Sequence, residues 1–346
     1  MGSVQLRVVV AGPFAPEDVA LIAEREPRLE LVHETSLLPD PRSDWMARHE
    51  RSPEEQARFE ALVDTAEALL GVPDGSGRAL ARAVAANPRL RWVHTIPAGG
   101  GQQVRAAGLS AVELERVVFT TSAGVHAGPL SEFALLGVLA GLKQLPQLQA
   151  DQRAHHWPPR RRPGALSDAT VAVVGLGAIG RMTALRLAQL GARVIGVHRR
   201  PVDAAGVAEI RPVEELPAVL AEADAVVLAL PGTELTRGML GRTALDAARP
   251  GLIVVNVGRG TTLDEEALIE ALQDGRVGFA ALDVFAREPL DPASPLWDLP
   301  NVLISPHSAT WSPHEPRRIA ELFAENARRL LDGELMLNVV NTVEFY

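Results

Sequence analysis

Along the chain, short apolar runs alternate with longer stretches in which apolar residues recur every three or four positions. In the first third, Leu6–Val10, Ala68–Val72, Leu90–Thr95 and Val117–Thr120 read as buried strands, the first lying in a Val4–Ala11 run that ends in a turn at Gly12-Pro13. Pro53–Thr65 and Gly77–Ala86 carry helical spacing between them. A second series starts at Ala169, with strands expected at Thr170–Val174, Arg193–Val197, Ala225–Leu230, Leu252–Val257, Gly278–Leu282 and Val302–Ile304. Helices are expected between these strands, notably Ile179–Leu190 and Asp264–Asp274, and an amphipathic helix over Pro316–Leu331 closes the chain. Strands that are apolar throughout and separated by helices indicate parallel sheets covered on both faces, so the expected fold class is α/β.

Two segments lie between the series. Pro129–Leu145 has helical length and only Glu132 and Lys143 as charges, so it lacks a polar face and is expected to be buried, between domains or against a second subunit. Gln147–Pro163 is polar and proline-rich and holds His155, His156, Trp157, Arg160, Arg161 and Arg162. It is expected to be a solvated loop; the alternative is a loop that reaches an acidic substrate or a neighbouring subunit.

Composition narrows the function. A length of 346 residues corresponds to about two domains. The chain has no cysteine, which excludes disulfides, thiolate metal sites and a cysteine nucleophile, and no metal site is assigned. A net charge of −9 gives no overall attraction to nucleic acid or an anionic membrane. The N-terminus has no secretion-signal pattern and no apolar run has membrane-spanning length, so a soluble cytoplasmic protein acting on small molecules or proteins is expected.

The central motif is Gly175-Leu-Gly177-Ala178-Ile179-Gly180, set between the strand Thr170–Val174 and a helix, with another strand at Arg193–Val197. That context is what a dinucleotide-binding βαβ unit requires. Gly175 permits the tight turn, Gly177 lets backbone approach a pyrophosphate, Gly180 lets helix and strand pack closely, and the helix N-terminus offers N–H groups to phosphate. A plain βα turn or a methyltransferase glycine loop are the alternatives. The second strand is followed by His198-Arg199-Arg200 where NAD sites commonly place an acid. Two guanidinium forks suit a 2′-phosphate, so NADP(H) is expected to be preferred, with NAD(H) possible.

Downstream, polar residues stand at strand ends: Arg259 after Val254-Val-Asn-Val-Gly, Asp283 and Glu288 after Ala281-Leu, and His307 after Ser305-Pro. With the glycine motif, Leu230-Pro231, Thr236-Arg237-Gly238, Asn256-Val-Gly-Arg259-Gly260, Leu282–Pro289 and Pro300–His307, the chain resembles the D-isomer-specific 2-hydroxyacid dehydrogenases, over roughly residues 90 to 340. The resemblance implies two doubly wound, Rossmann-like parallel-sheet domains with a cleft between them. Residues 1–128 with 312–346 would form the substrate domain and 129–311 the dinucleotide-binding domain. It also implies hydride transfer between a nicotinamide and C2 of a small 2-keto or 2-hydroxy acid, in the manner of glyoxylate or hydroxypyruvate reductases.

By the same resemblance, Arg259, Glu288 and His307 are catalytic. Gly175, Gly177, Ala178, Ile179, Gly180, His198, Arg199, Arg200, Leu230, Pro231, Thr236, Val257, Gly258, Arg259, Asp283 and His307 would meet the cofactor. Gly99 and Gly100, with Arg259 and His307, would meet the substrate, the glycines through an anion-binding backbone nest; Gln102 follows them where the family often has an acid. The helix Pro129–Leu145 resembles the family's dimer helix, which implies a homodimer built on the cofactor domain. The competing class is a non-enzymatic dinucleotide sensor or corepressor on the same fold.

Overall fold

The computed structural model describes residues 5–41 and 49–345; Val4, in the first expected apolar run, lies outside the described residues. The chain divides into two compact units, Met1–Val125 with Ser312–Tyr346, and His126–Trp311.

The first unit runs β1 (Leu6–Val10), α1 (Pro16–Arg25), β2 (Leu29–Val32), α2 (Pro53–Val63), β3 (Ala68–Leu70), α3 (Gly77–Ala86), β4 (Trp92–Thr95), α4 (Gly101–Ala107), α5 (Ala111–Arg116) and β5 (Val118–Thr121). Its strands pair in parallel in the order β2-β1-β3-β4-β5. Ser52 and Glu55 form a reciprocal cap at the start of α2, and Ser110 and Glu113 do the same for α5, so each helix begins where its first N–H groups find acceptors. The sequence pattern missed α1 and β2: β2 is only four residues long and carries Glu30. The C-terminal helix Glu315–Asp332 returns to this unit, packing on α1 and burying Ile319, Phe323 and Ala327 in its core.

That core contains a closed polar chain. Trp92 stacks on Phe323 with ring centroids 4.4 Å apart, and its indole N–H donates to Thr120 Oγ1 at 2.9 Å. His94, with no exposed surface, meets Thr120 Oγ1 through Nδ1 at 2.8 Å and Ser122 Oγ through Nε2 at 3.1 Å. Ser122 Oγ in turn donates to the Thr95 carbonyl at 3.2 Å. An indole N–H only donates and a carbonyl only accepts. The tautomer with hydrogen on Nε2 therefore supplies every contact with a donor and an acceptor. Burial holds the His94 pKa down to about 3.

The second unit runs α6 (Ala127–Leu142), α7 (Leu145–Arg153), β6 (Thr170–Val174), α8 (Ala178–Gln189), β7 (Arg193–Val197), β8 (Glu209–Arg211), α9 (Leu216–Glu222), β9 (Ala225–Leu228), α10 (Arg242–Asp246), β10 (Leu252–Asn256), α11 (Glu265–Gln273), β11 (Val277–Leu282) and β12 (Val302–Ile304). Its seven strands are parallel in the order β12-β11-β10-β9-β6-β7-β8. Helix α6 stops earlier than its apolar pattern suggests, because Gln144 takes a left-handed conformation with φ 54° and a new helix starts at Leu145. Part of the expected loop over 147–163 is thus helical, through Arg153. Much of the apolar surface of α6 is buried within its own unit: a Cβ on Gly137 would stand 2.8 Å from Val255 and Ala281 side-chain atoms, and one on Gly141 would stand 2.5 Å from Ile253. Leu136 of α6 remains 48% exposed. No helix among the described residues is long and apolar enough to cross a membrane.

The His94 chain makes stability depend on pH in a defined direction. Above pH 6.5 the imidazole is neutral whether the chain is folded or not. Below it the unfolded chain binds a proton that the folded core excludes, so stability falls as pH drops from 6.5 towards 3. Between pH 6.5 and 5 wild type should lose about 2 kcal/mol more than His94→Gln, from about 1.4 kcal/mol per pH unit. Urea unfolding of both proteins across this range checks it; parallel curves would refute the effect.

Candidate active site

In the second unit the loops after β6, β7, β9, β10, β11 and β12 lie at one edge, because parallel strands all end in the same direction. That edge is where doubly wound sheets bind ligands. After β6, Gly175 has φ 93°, donates its N–H to Val197 O at 2.9 Å, and would place a Cβ 2.8 Å from Ala229 O. A Cβ on Gly180 would stand 1.8 Å from Gly175 O, so α8 lies directly against the turn. Around Gly177 there is open space instead, with nothing within 4 Å of a Cβ. The first backbone bond of α8 runs from Arg181 N–H to Gly177 O, which leaves the N–H groups of Ala178, Ile179 and Gly180 as the open end of the helix.

His198, just past β7, is half-buried and its Nδ1 accepts the Leu176 N–H at 3.3 Å. The Leu176 carbonyl accepts from Arg181 Nε at 2.9 Å, so the two peptide groups that flank Leu176 in the glycine turn are each held by a side chain. Burial, then the charges of Arg199, Arg181 and Arg200, push the His198 pKa below its usual value, and the ring is neutral at neutral pH. Arg199 and Arg200 are exposed. The contribution of Arg181 is not legible in the sequence, because the residue following the glycine motif reads as an ordinary helix surface position.

After β10, fully buried Asn256 accepts the Gly258 N–H through Oδ1 at 3.0 Å and donates through Nδ2 to Arg259 O at 3.1 Å. Thr262 Oγ1 also donates to Arg259 O, at 2.6 Å. These bonds set the turn that presents Arg259, and Val257 is buried beneath it. Burial pushes the Arg259 pKa down, opposed by the charges of Glu288 and Asp283. Gly260 has no room for a side chain: a Cβ would lie 1.8 Å from the backbone of Phe285.

After β11, Asp283 is 1% exposed, and its Oδ1 accepts from Ser305 Oγ at 2.6 Å and from the N–H groups of Ser308 and Ala309 at 3.0 Å each. Its Oδ2 is buried without a hydrogen-bond partner among the described residues. Burial raises its pKa despite those three donors and the charge of His307. Glu288 Oε1 accepts the Phe285 N–H at 3.0 Å, and its Oε2 meets His307 Nδ1 at 2.7 Å. Burial would raise the Glu288 pKa, but the His307 bond, the Phe285 N–H and the charges of His307 and Arg259 outweigh it and hold the carboxyl below its usual range. His307 occupies the left-handed region with φ 53°.

The remaining expected residues are placed as follows. Leu230 and Pro231 follow β9, and a Cβ on Gly258 would strike the Leu230 backbone at 2.6 Å. Thr236 staples its own loop, its hydroxyl meeting Pro231 O at 2.6 Å and the Thr233 N–H at 2.9 Å. In the first unit, Gly100 takes a right-handed helical conformation and its Cβ would stand 1.7 Å from Thr95 Oγ1. None of Gly99, Gly100 and Gly101 has positive φ, so the expected nest, which alternates right- and left-handed residues, does not form: the turn runs straight into α4. Gly100, Gln102 and Gln103 donate to the carbonyls of Pro97, Gly99 and Gly100. A cavity of 820 Å³ in the second unit lies at the opposite ends of the strands, lined by Asp224, Gly251 and Asn301, away from all these groups.

A parallel seven-stranded sheet with a glycine turn and open helix end after β6 defines a dinucleotide-binding protein of the Rossmann class. Residues 135–309 match the family model described as D-isomer specific 2-hydroxyacid dehydrogenase, NAD binding domain. The chain belongs to the D-isomer specific 2-hydroxyacid dehydrogenases. D-3-phosphoglycerate dehydrogenase of Mycobacterium leprae is 35% identical over 292 residues, 83% of this chain and 53% of that protein. The chain spans about half the length of the first curated relatives it matches. The structure of a D-isomer specific 2-hydroxyacid dehydrogenase from Xanthobacter autotrophicus Py2, in complex with NADPH and MES, is similar with a TM-score of 0.78 and 30% identity, covering 99% of both chains. That of an NADPH-dependent glyoxylate/hydroxypyruvate reductase from Sinorhizobium meliloti, in complex with NADP and sulfate, also has a TM-score of 0.78, at 27% identity, covering 99% of this chain and 100% of that one.

Proposed function

We propose that the protein reduces a small 2-keto acid to the 2-hydroxy acid, or runs the reverse, with NADP(H) preferred over NAD(H). The observation that carries this reading is the 2.7 Å His307–Glu288 pair, placed at strand ends beside Arg259. Glyoxylate and hydroxypyruvate are the proposed substrates, supported by the Sinorhizobium meliloti reductase.

The residues fit a dinucleotide. Gly177 leaves the backbone open to a pyrophosphate, which the N–H groups of Ala178, Ile179 and Gly180 would hold. Asp283 Oδ2, buried and unpartnered, is an acceptor suited to a carboxamide N–H. Leu230, Pro231, Thr236, Val257 and Gly258 would line the same site. When bound, the nicotinamide supplies the hydride that reaches C2. Arg259 pairs with the substrate carboxylate and draws charge towards the carbonyl oxygen. His307 gives its proton to that oxygen as negative charge builds there. Glu288 fixes the imidazole through Nδ1, leaving Nε2 for the substrate. At the turn expected to meet the substrate carboxylate, Gly99 would offer its backbone N–H, whereas the Gly100 N–H already donates to Pro97 O at 3.1 Å.

His198, unlike an acid at this position, brings no negative charge to repel a 2′-phosphate, and Arg199 and Arg200 stand beside it. We further propose a homodimer: α6 and α8 expose Leu136, Met182 and Leu185, and Trp157 on the segment after α7 is 96% exposed.

NADPH oxidation at 340 nm should proceed with glyoxylate or hydroxypyruvate, and His307→Ala should lower the rate roughly 10²–10⁴-fold while keeping dinucleotide affinity. Turnover of no 2-keto acid alongside tight dinucleotide binding would instead mean a sensor. Wild type should favour NADPH over NADH in kcat/KM by about tenfold or more, since one charge-assisted hydrogen bond accounts for that much; the triple variant His198→Asp, Arg199→Ala, Arg200→Ala should lose or reverse the preference. Equal use of both cofactors by wild type would remove the arginines from that role. Light scattering should return about twice the 37.0 kDa chain mass, and a monomer at micromolar concentration would refute the dimer.

A further inference from the structure

We propose that His94 is a positioning residue: as the neutral Nε2–H tautomer it orients Ser122 on the Thr95 carbonyl and so fixes the turn Ile96–Gly101, the turn that the proposed function assigns to the substrate carboxylate. The inference rests on that assignment only for its effect on substrate; the hydrogen-bond chain itself is independent of it.

The polarity of the chain is set from both ends. Trp92 Nε1–H donates to Thr120 Oγ1 at 2.9 Å, so the Thr120 hydroxyl hydrogen is free to point at His94 Nδ1, 2.8 Å away. His94 Nε2–H then donates to Ser122 Oγ at 3.1 Å, and the Ser122 hydroxyl hydrogen goes to Thr95 O at 3.2 Å. Reversing the tautomer would make Thr120 Oγ1 accept from both rings, leaving its own hydrogen without an acceptor in the chain, and would turn the Ser122 hydroxyl inward to Nε2, away from the Thr95 carbonyl. The groups that meet the imidazole are Trp92, Thr120, Ser122 and Phe323, none of them charged.

Thr95 is the pivot of the turn. Its hydroxyl donates to Pro97 O at 3.4 Å, and the missing side chain of Gly100 leaves the space that this hydroxyl occupies. A small rotation of the Thr95 peptide would therefore move the whole Ile96–Gly101 segment. An apolar side chain could fill the place of His94 without burying polar atoms. A satisfied polar chain instead selects one geometry, because each member loses its partner if the next one turns. On the far side, the segment after Ser122 is tied down as well: Asn338 Nδ2 donates to Ala123 O at 2.7 Å. The turn is thus referenced to β5 and to the C-terminal segment through one imidazole.

Three variants test this: Ser122→Ala, His94→Leu and His94→Gln. Kinetics with the 2-keto acid that wild type reduces should show KM raised about tenfold for Ser122→Ala and His94→Leu, the worth of one buried hydrogen bond. Saturated kcat and dinucleotide affinity should stay near wild type. The amide introduced by His94→Gln can accept from Thr120 and donate to Ser122, so that variant should recover most of the KM. Hydrogen exchange over residues 96–101 should quicken in Ser122→Ala and return towards wild type in His94→Gln. Lost stability with unchanged KM and unchanged exchange in this turn would overturn the proposal. If His94→Leu does not fold, Ser122→Ala still decides it. Should wild type reduce no 2-keto acid, the proposed function fails and the exchange measurement alone judges the positioning claim. Faster exchange without a KM effect in an active enzyme would overturn the link to substrate.

Discussion

One buried carboxylate oxygen organises the strand edge on which the site is built. Oδ1 of Asp283 collects the Ser305 hydroxyl and the N–H groups of Ser308 and Ala309, drawing the turn after β12 over the end of β11. His307 lies inside that turn with φ 53°, a conformation that a histidine keeps only when its surroundings determine it. The ring thereby reaches Glu288, whose other oxygen is occupied by the Phe285 N–H. The Phe285 backbone in turn lies against Gly260, beside Arg259. Three loops from three strands interlock through a carboxylate, a glycine and an imidazole.

The parallel sheet is what makes such a meeting possible. Each crossover returns the chain to the same starting edge, so residues as far apart as Gly175, Arg259 and His307 all follow the carboxyl end of a strand. Proximity then follows from register and from short loops. The tight contacts at Gly180 and Gly260 show how close the backbones run, and a methyl group at either position would occupy the place of a neighbouring main chain.

Three histidines have three environments. His94 is sealed among uncharged groups and kept neutral, with a pKa of about 3. His198 is half-buried among arginines and is neutral for both reasons. His307 has an ionised carboxylate on one ring nitrogen. Sequence treats them as one residue type, and the difference lies in what each fold position brings within hydrogen-bond reach.

Apolar periodicity by itself determined the α/β class, most of the strands, and the glycine turn between β6 and α8, because these depend on local spacing. It also marked Arg259, Asp283, Glu288 and His307 as polar groups at strand ends. It overlooked β2 and β8, which are short, and α1, which has ten residues; all three carry charges, and it ran α6 on through Gln144, where the backbone turns left-handed and Pro146 opens the next helix. The glycines at 99–101 suggested a nest, but steric contact between Gly100 and Thr95 explains one of them and the turn is helical. Only tertiary structure decided that Asp283 gathers three donors on one oxygen, that Arg181 and His198 hold the same residue, Leu176, and that His94 links Trp92 to Thr95. Those are contacts between residues distant in the chain or on different strands, and a hydrogen bond exists only once both partners have been brought within about 3 Å.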